Sequence, residues 1–141
     1  MEEKMIFDKE QINKILPHRD PVLLADLAEW DGKCITATLF VDPSMDIFKG
    51  HFPDGPVFPG VYIIEAMAQC ADILLLKDGK ALKPYLASVS RMRFIRPVYP
   101  GDTLICRAEL TEEGEGISTF NVSAETGGKA AAKGVLSIAL R

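Results

Sequence analysis

The residues that build metal and redox centres are scarce in this chain, which holds three cysteines and two histidines among 141 residues. No CxxC or HxxxH pair occurs, so the ligand spacing of a transition-metal site is missing. Cys34, Cys70 and Cys106 are widely spaced and each sits in an apolar run. They read as reduced, buried thiols of a cytoplasmic protein rather than as disulfide partners. An excess of positive charge is missing too: 16 Lys and Arg against 20 Asp and Glu give a formal net charge of −4. Phosphate backbones need a basic face, so nucleic acid is not the expected main partner. The opening MEEKMIFDKE is charged and lacks an apolar h-region, so no secretory signal is expected. The longest apolar segment, Val61–Lys77, is interrupted by Glu65, Gln69 and Asp72. It falls short of the roughly 20 apolar residues that a membrane span requires. There is no repeat, linker or low-complexity segment.

What remains is an ordinary globular mixture, 48% hydrophobic and 26% charged, of a length expected to form one domain over residues 1–141. A short helix is expected first, capped by Asp8 with Gln11 at its third position, carrying Ile12, Ile15 and Leu16 inward and stopped by Pro17. Val22–Trp30 reads as a strand, Asp31-Gly32 as a tight turn and Cys34–Val41 as the returning strand. A loop from Asp42 to Gly60, rich in Pro and Gly, leads into one long helix over Val61–Lys77, ended by Asp78-Gly79. Strand-like runs follow at Leu86–Ile95, Thr103–Leu110, Ile117–Thr126 and Lys129–Leu140, separated by glycine-containing turns. The long helix is apolar nearly all round, which marks it as buried. One buried helix followed by antiparallel strands implies an α+β layout, a sheet curled around the helix, and a partner subunit to cover the rest.

Glu65, Gln69 and Asp72 stand at i, i+4 and i+7, on one face of that helix. Polar side chains on a buried helix are either hydrogen-bonded in the core or line a cavity, and a carboxylate is rarely buried without a partner or a task. Just upstream, His51 opens a proline-studded loop that ends at Gly60. There the first N–H groups of the helix have no helical acceptor and the helix dipole favours negative charge. A base, an acid and an oxyanion site within one short segment are what proton abstraction beside a carbonyl requires.

The run His51 to Gln69, HFPDGPVFPGVYIIEAMAQ, resembles the active-site signature of the 3-hydroxyacyl-[acyl-carrier-protein] dehydratases. Leu16-Pro17-His18-Arg19 with Pro21 and Leu23-Leu24 matches on one side of it. Arg93-Phe94, Arg96-Pro97-Val98 and Pro100-Gly101-Asp102 match on the other. The resemblance implies a hotdog fold, a cytoplasmic setting, an acyl carrier protein as partner, homodimers that often assemble as three, and no metal or organic cofactor. By position it makes His51 the catalytic histidine, Glu65 the catalytic carboxylate and Gly60 the glycine whose N–H holds the thioester carbonyl. The histidine and carboxylate of one site would come from opposite protomers. Glu65, where related dehydratase-isomerases carry Asp, favours the plain dehydratase; the alternatives on the same fold are an acyl thioesterase and a non-catalytic acyl-binding module. Asp20, Asp54-Gly55 and Ile95 depart from the pattern at positions that bear on carrier docking and chain length.

Imidazole, with an ordinary pKa near 6.5, suits the base. Glu65, beside Ile63, Ile64, Ala66 and Met67, is expected to be desolvated and able to donate a proton, although the resemblance equally allows His51 to handle both protons while Glu65 orients it or a water. Val61, Phe58 and Ile64 are candidates for the substrate wall, as are Tyr62 and Met67. His18 reads as an anchor of the first helix rather than a substrate contact. Between Gly79 and Gly101 the chain carries Lys80, Lys83, Arg91, Arg93 and Arg96 and no acidic residue. Arg91, Arg93 and Arg96 are therefore candidates for docking an acidic carrier.

Overall fold

The computed structural model describes residues 4–141. Asp8 caps the first helix as its neighbours imply: its side chain accepts the Gln11 N–H, and Gln11 returns the bond to the Asp8 N–H. The elements run β1 (Met5–Phe7), α1 (Lys9–Ile15), β2 (Leu27–Trp30), β3 (Cys34–Phe40), α2 (Gly60–Leu76), β4 (Pro84–Phe94), β5 (Thr103–Glu113), β6 (Ile117–Thr126) and β7 (Lys129–Leu140). The strands form one seven-stranded antiparallel sheet in the order β1-β2-β3-β5-β6-β7-β4.

Period-two patterning decides which face of the sheet meets the helix. Ile35, Ala37 and Leu39 of β3, Leu104, Cys106 and Ala108 of β5, and Phe120, Val122 and Ala124 of β6 are buried at alternate positions. They pack with Ile63, Met67, Cys70, Ile73 and Leu76 of α2 in one core. Burying each large aliphatic or aromatic side chain contributes about 1.5–3 kcal/mol. Cys70 and Cys106 are buried and Cys34 half-buried, all with free thiols. Burial pushes the Cys106 thiol up to about 12 and the Cys70 thiol up as well. Among the described residues, no helix is long and apolar enough to cross a membrane.

Three expectations need correction. The strand expected over Val22–Trp30 begins only at Leu27. The Leu24 N–H donates to Gln69 Oε1 at 2.8 Å, and Gln69 Nε2 donates to the Val22 carbonyl. A helix side chain thus takes the backbone groups that a neighbouring strand would have used. The loop from Asp42 to Gly60 contains a 3-10 turn over Asp46–Lys49 that buries Phe48. At the N-terminus, β1 adds an edge strand that sequence patterning did not reveal.

The opposite edge, β4, is irregular. Its register with β7 shifts between Ser90 and Arg93, and Arg91 has φ 52°. A bulge here brings Met92 against β7 where Gly134 stands. A Cβ on Gly134 would lie 2.9 Å from the Met92 Cα, so only glycine leaves room. Nearly all of β4 is exposed, including Tyr85, Leu86, Val89 and Phe94 at 42–52%. A long edge strand with exposed apolar side chains is a surface prepared for pairing.

Candidate active site

His51 is held by its own loop. The Val57 N–H donates to the His51 carbonyl at 2.9 Å, and His51 Nδ1 lies 2.9 Å from the Val57 carbonyl. A carbonyl only accepts, so Nδ1 carries the proton and Nε2 keeps its lone pair. The ring stacks on Phe52, with centroids 4.1 Å apart. His51 lines a cavity of about 390 Å³ together with Phe58, Gly60, Phe94, Ile95 and Arg96. Phe58 is 1% exposed and meets Tyr62 edge-on at 5.7 Å, so it forms both cavity wall and core.

Gly60 begins α2. Tyr62 and Ile63 N–H groups already donate to the Pro59 carbonyl, while those of Gly60 and Val61 precede the first helical acceptor. No acidic residue occupies the first turn, leaving the roughly half positive charge of the helix end uncancelled. A Cβ on Gly60 would approach the Phe94 ring to 3.1 Å.

Glu65 faces elsewhere. It lines a second cavity of about 410 Å³ with Val22, Leu24, Val61 and Tyr62, a mostly apolar wall. Its side chain is 39% exposed. The desolvation expected of Glu65 falls two turns further along the same face, on Asp72, whose side chain is 5% exposed. Within one chain, then, His51 with Gly60 and Glu65 with Val61 occupy separate cavities. Ile64 packs against the core and lines neither cavity.

Around Glu65 the polar stripe of α2 forms a cluster with His18, the one member that sequence reasoning missed. Gln69 Nε2 donates to Glu65 Oε1 at 2.9 Å. His18 Nε2 lies 3.5 Å from Glu65 Oε1 and 3.8 Å from Asp72 Oδ2. Among the described residues, His18 Nδ1 and Asp72 Oδ1 are buried without a hydrogen-bond partner. A buried unpaired polar group costs about 1–3 kcal/mol, so the cluster stands against stability. The i, i+4, i+7 spacing on α2 was the visible signal. The arrival of His18 depends on the path of the chain after α1, which patterning does not encode.

The basic candidates divide. Arg96 reaches the rim of the His51 cavity, and its Nε donates to the Ala130 carbonyl at 3.0 Å. Arg91 and Arg93 instead line a groove of about 430 Å³ on the sheet, with Arg107 and Lys133. Strand pairing places Thr36, Arg107, Ser123, Lys133 and Arg93 opposite one another in a single line across β3, β5, β6, β7 and β4. Paired residues share a face of the sheet, and like charges directly opposite are unfavourable, as Lys133 and Arg93 are. Arg107 and Lys133 escaped sequence analysis because only the register aligns them. Glu109, the carboxylate in this groove, already meets Lys33 at 3.7 Å.

Comparison with known proteins adds an independent view. Residues 28–135 match a family model described as ApeI-like, ApeI dehydratase. The 3-hydroxyacyl-[acyl-carrier-protein] dehydratase FabZ of Thiobacillus denitrificans is 44% identical, covering 95% of this chain and 97% of its own. The protein of the same name from Sodalis glossinidius is 41% identical over 94% of this chain and 91% of its own. Among solved structures, the dehydratase heterocomplex ApeI:P from Xenorhabdus doucetiae superposes with a TM-score of 0.74 at 18% identity, covering 92% of this chain and 90% of that one. A mutant thioesterase from Pseudomonas aeruginosa gives 0.70 at 18% identity, over 95% and 94%. At that identity the structural likeness speaks for the fold alone, which is the hotdog fold.

Proposed function

As the chain belongs to the 3-hydroxyacyl-[acyl-carrier-protein] dehydratases, we propose that it removes water from (3R)-hydroxyacyl thioesters on an acyl carrier protein, using His51 and Glu65 as the proton-handling pair. The product is the trans-2-enoyl thioester, and the setting is the cytoplasm. The observation that supports a site shared between subunits is the separation of His51 and Glu65 into two cavities flanking one helix start. Neither cavity of a single chain holds both groups. A two-fold dimer supplies the missing half of each, giving two identical composite sites. The exposed apolar edge of β4 is the surface that supports such pairing, and dimers assembling as three extend it.

In each composite site His51 Nε2 takes the C2 proton, because Nδ1 is committed to the Val57 carbonyl. The electron pair left on C2 spreads onto the thioester oxygen, which the Gly60 and Val61 N–H groups receive at the helix end. As the C2–C3 double bond forms, the C3–O bond breaks, and the partner subunit's Glu65 gives a proton so that water leaves. Each positioned acid or base contributes roughly 10²–10⁴ in rate. The apolar wall of Val22, Leu24, Val61 and Tyr62 suits the acyl chain. Arg91, Arg93 and Arg96, joined by Arg107 and Lys133, are the docking surface for the acidic carrier.

The test is the absorbance of the conjugated enoyl thioester. His51→Ala and Glu65→Gln are each expected to lower turnover at least about a hundredfold with the fold intact. Mixing the two inactive proteins under conditions of subunit exchange should restore activity, since a mixed dimer regains one site with both groups. Near-normal activity in either folded variant defeats the assignment of roles, and no recovery in proven heterodimers defeats the shared site.

A further inference from the structure

We propose that His18 and Asp72 are positioning residues for Glu65: His18 Nε2, which faces Glu65 Oε1 at 3.5 Å and Asp72 Oδ2 at 3.8 Å, orients the Glu65 carboxyl and couples it to the Asp72 carboxyl. This rests on Glu65 acting as the proton donor. The geometry is unusual in how little else these groups touch. The polar contacts of the buried His18 ring are through Nε2, at 3.5 Å from Glu65 and 3.8 Å from Asp72, while Nδ1 has no partner among the described residues. Asp72 has Oδ2 on His18 and an unpaired Oδ1. Gln69, by contrast, spends its amide on Leu24, Val22 and Glu65. It staples the N-terminal segment to α2, whereas His18 and Asp72 staple nothing but the environment of Glu65. Buried polar groups left partly unpaired are uncommon and mark sites of function.

The electrostatics agree with the geometry. Burial, and after it the Glu65 carboxylate, hold the Asp72 carboxyl well above the usual carboxylate range. Burial also lowers His18, leaving a neutral imidazole. The charges acting on the ring are Glu65 from α2 and Arg19 from the segment after α1, and the Asp72 carboxyl faces it from α2 as well.

The full-length enzyme tests this directly. His18→Ala, His18→Gln and Asp72→Asn would be checked for folding by circular dichroism. They would then be assayed on a 3-hydroxyacyl thioester from about pH 5 to 9, beside His51→Ala and Glu65→Gln. His18→Ala should lower kcat at least roughly tenfold with KM little changed, and His18→Gln, which retains an N–H donor, should recover part of it. In Asp72→Asn the alkaline limb of the pH–rate profile should move to lower pH, because Glu65 is no longer coupled to a second carboxyl. Normal kcat and an unshifted profile in folded His18→Ala and Asp72→Asn overturn the proposal while inactive His51→Ala and Glu65→Gln leave the dehydratase chemistry standing. A loss of stability with kcat unchanged overturns it as well. Activity surviving Glu65→Gln removes its foundation.

Discussion

Asp72 is a carboxyl kept neutral by its surroundings, and that has a thermodynamic signature. In the unfolded chain it ionises near its ordinary value of 3.8, whereas in the fold burial and Glu65 keep it protonated well above that. Between those limits the native state binds more protons than the unfolded state, so the stability this residue contributes is whole below about pH 4 and is lost as pH rises. Asp72→Asn removes that loss. Its Tm relative to the wild type is expected to climb steadily between about pH 4 and 7, and an offset that stays constant over this range would contradict the assignment. His18 works in the opposite sense, losing stability as pH falls below its ordinary 6.5, because burial disfavours the imidazolium. At this scale the sequence showed His51, Gly60 and Glu65 through their spacing and family signature. It did not show His18 beside Glu65, since that contact joins a loop to a distant helix. Nor did it show that Asp72, rather than Glu65, bears the burial.

Among the elements, α1, α2 and the strands β5 to β7 were legible because each has one dominant period and clear stops. The run Val22 to Ala25 was not. Four consecutive apolar residues fit a buried strand and a buried irregular segment equally well, and what decided between them was the amide of Gln69. The β4 bulge was illegible for a different reason: it is a match between Met92 on one strand and the absence of a side chain at Gly134 on another. Gly134→Ala should push Met92 and the β4 backbone outward, at a cost of about 1–3 kcal/mol. Denaturant unfolding would measure it, and an unchanged midpoint would mean that β4 yields freely. The bulge also turns Arg91, with its φ of 52°, toward the basic groove, so the same variant should weaken use of the carrier-bound substrate more than a small thioester.

For the molecule as a whole, net charge concealed what register revealed. A chain of formal charge −4 carries Arg107, Lys133 and Arg93 in one line across its sheet. Reversing Arg91 and Arg93 to Glu, or Arg107 and Lys133 to Glu, should raise KM for the carrier-bound substrate at least about tenfold at low salt. The penalty should shrink as salt is added, while turnover of a small thioester stays near normal. Equal damage to both substrates would make the row structural.

The start of α2 sends Gly60 to one cavity and Val61 and Glu65 to another, and with shared sites this has a genetic consequence. A chain damaged only at His51 spoils one centre of a mixed dimer and leaves the second working. A chain damaged at both His51 and Glu65 spoils both, silencing the intact copy bound to it. Expressed beside the normal gene, the double lesion acts as a dominant poison, whereas either single lesion is merely a half-dose.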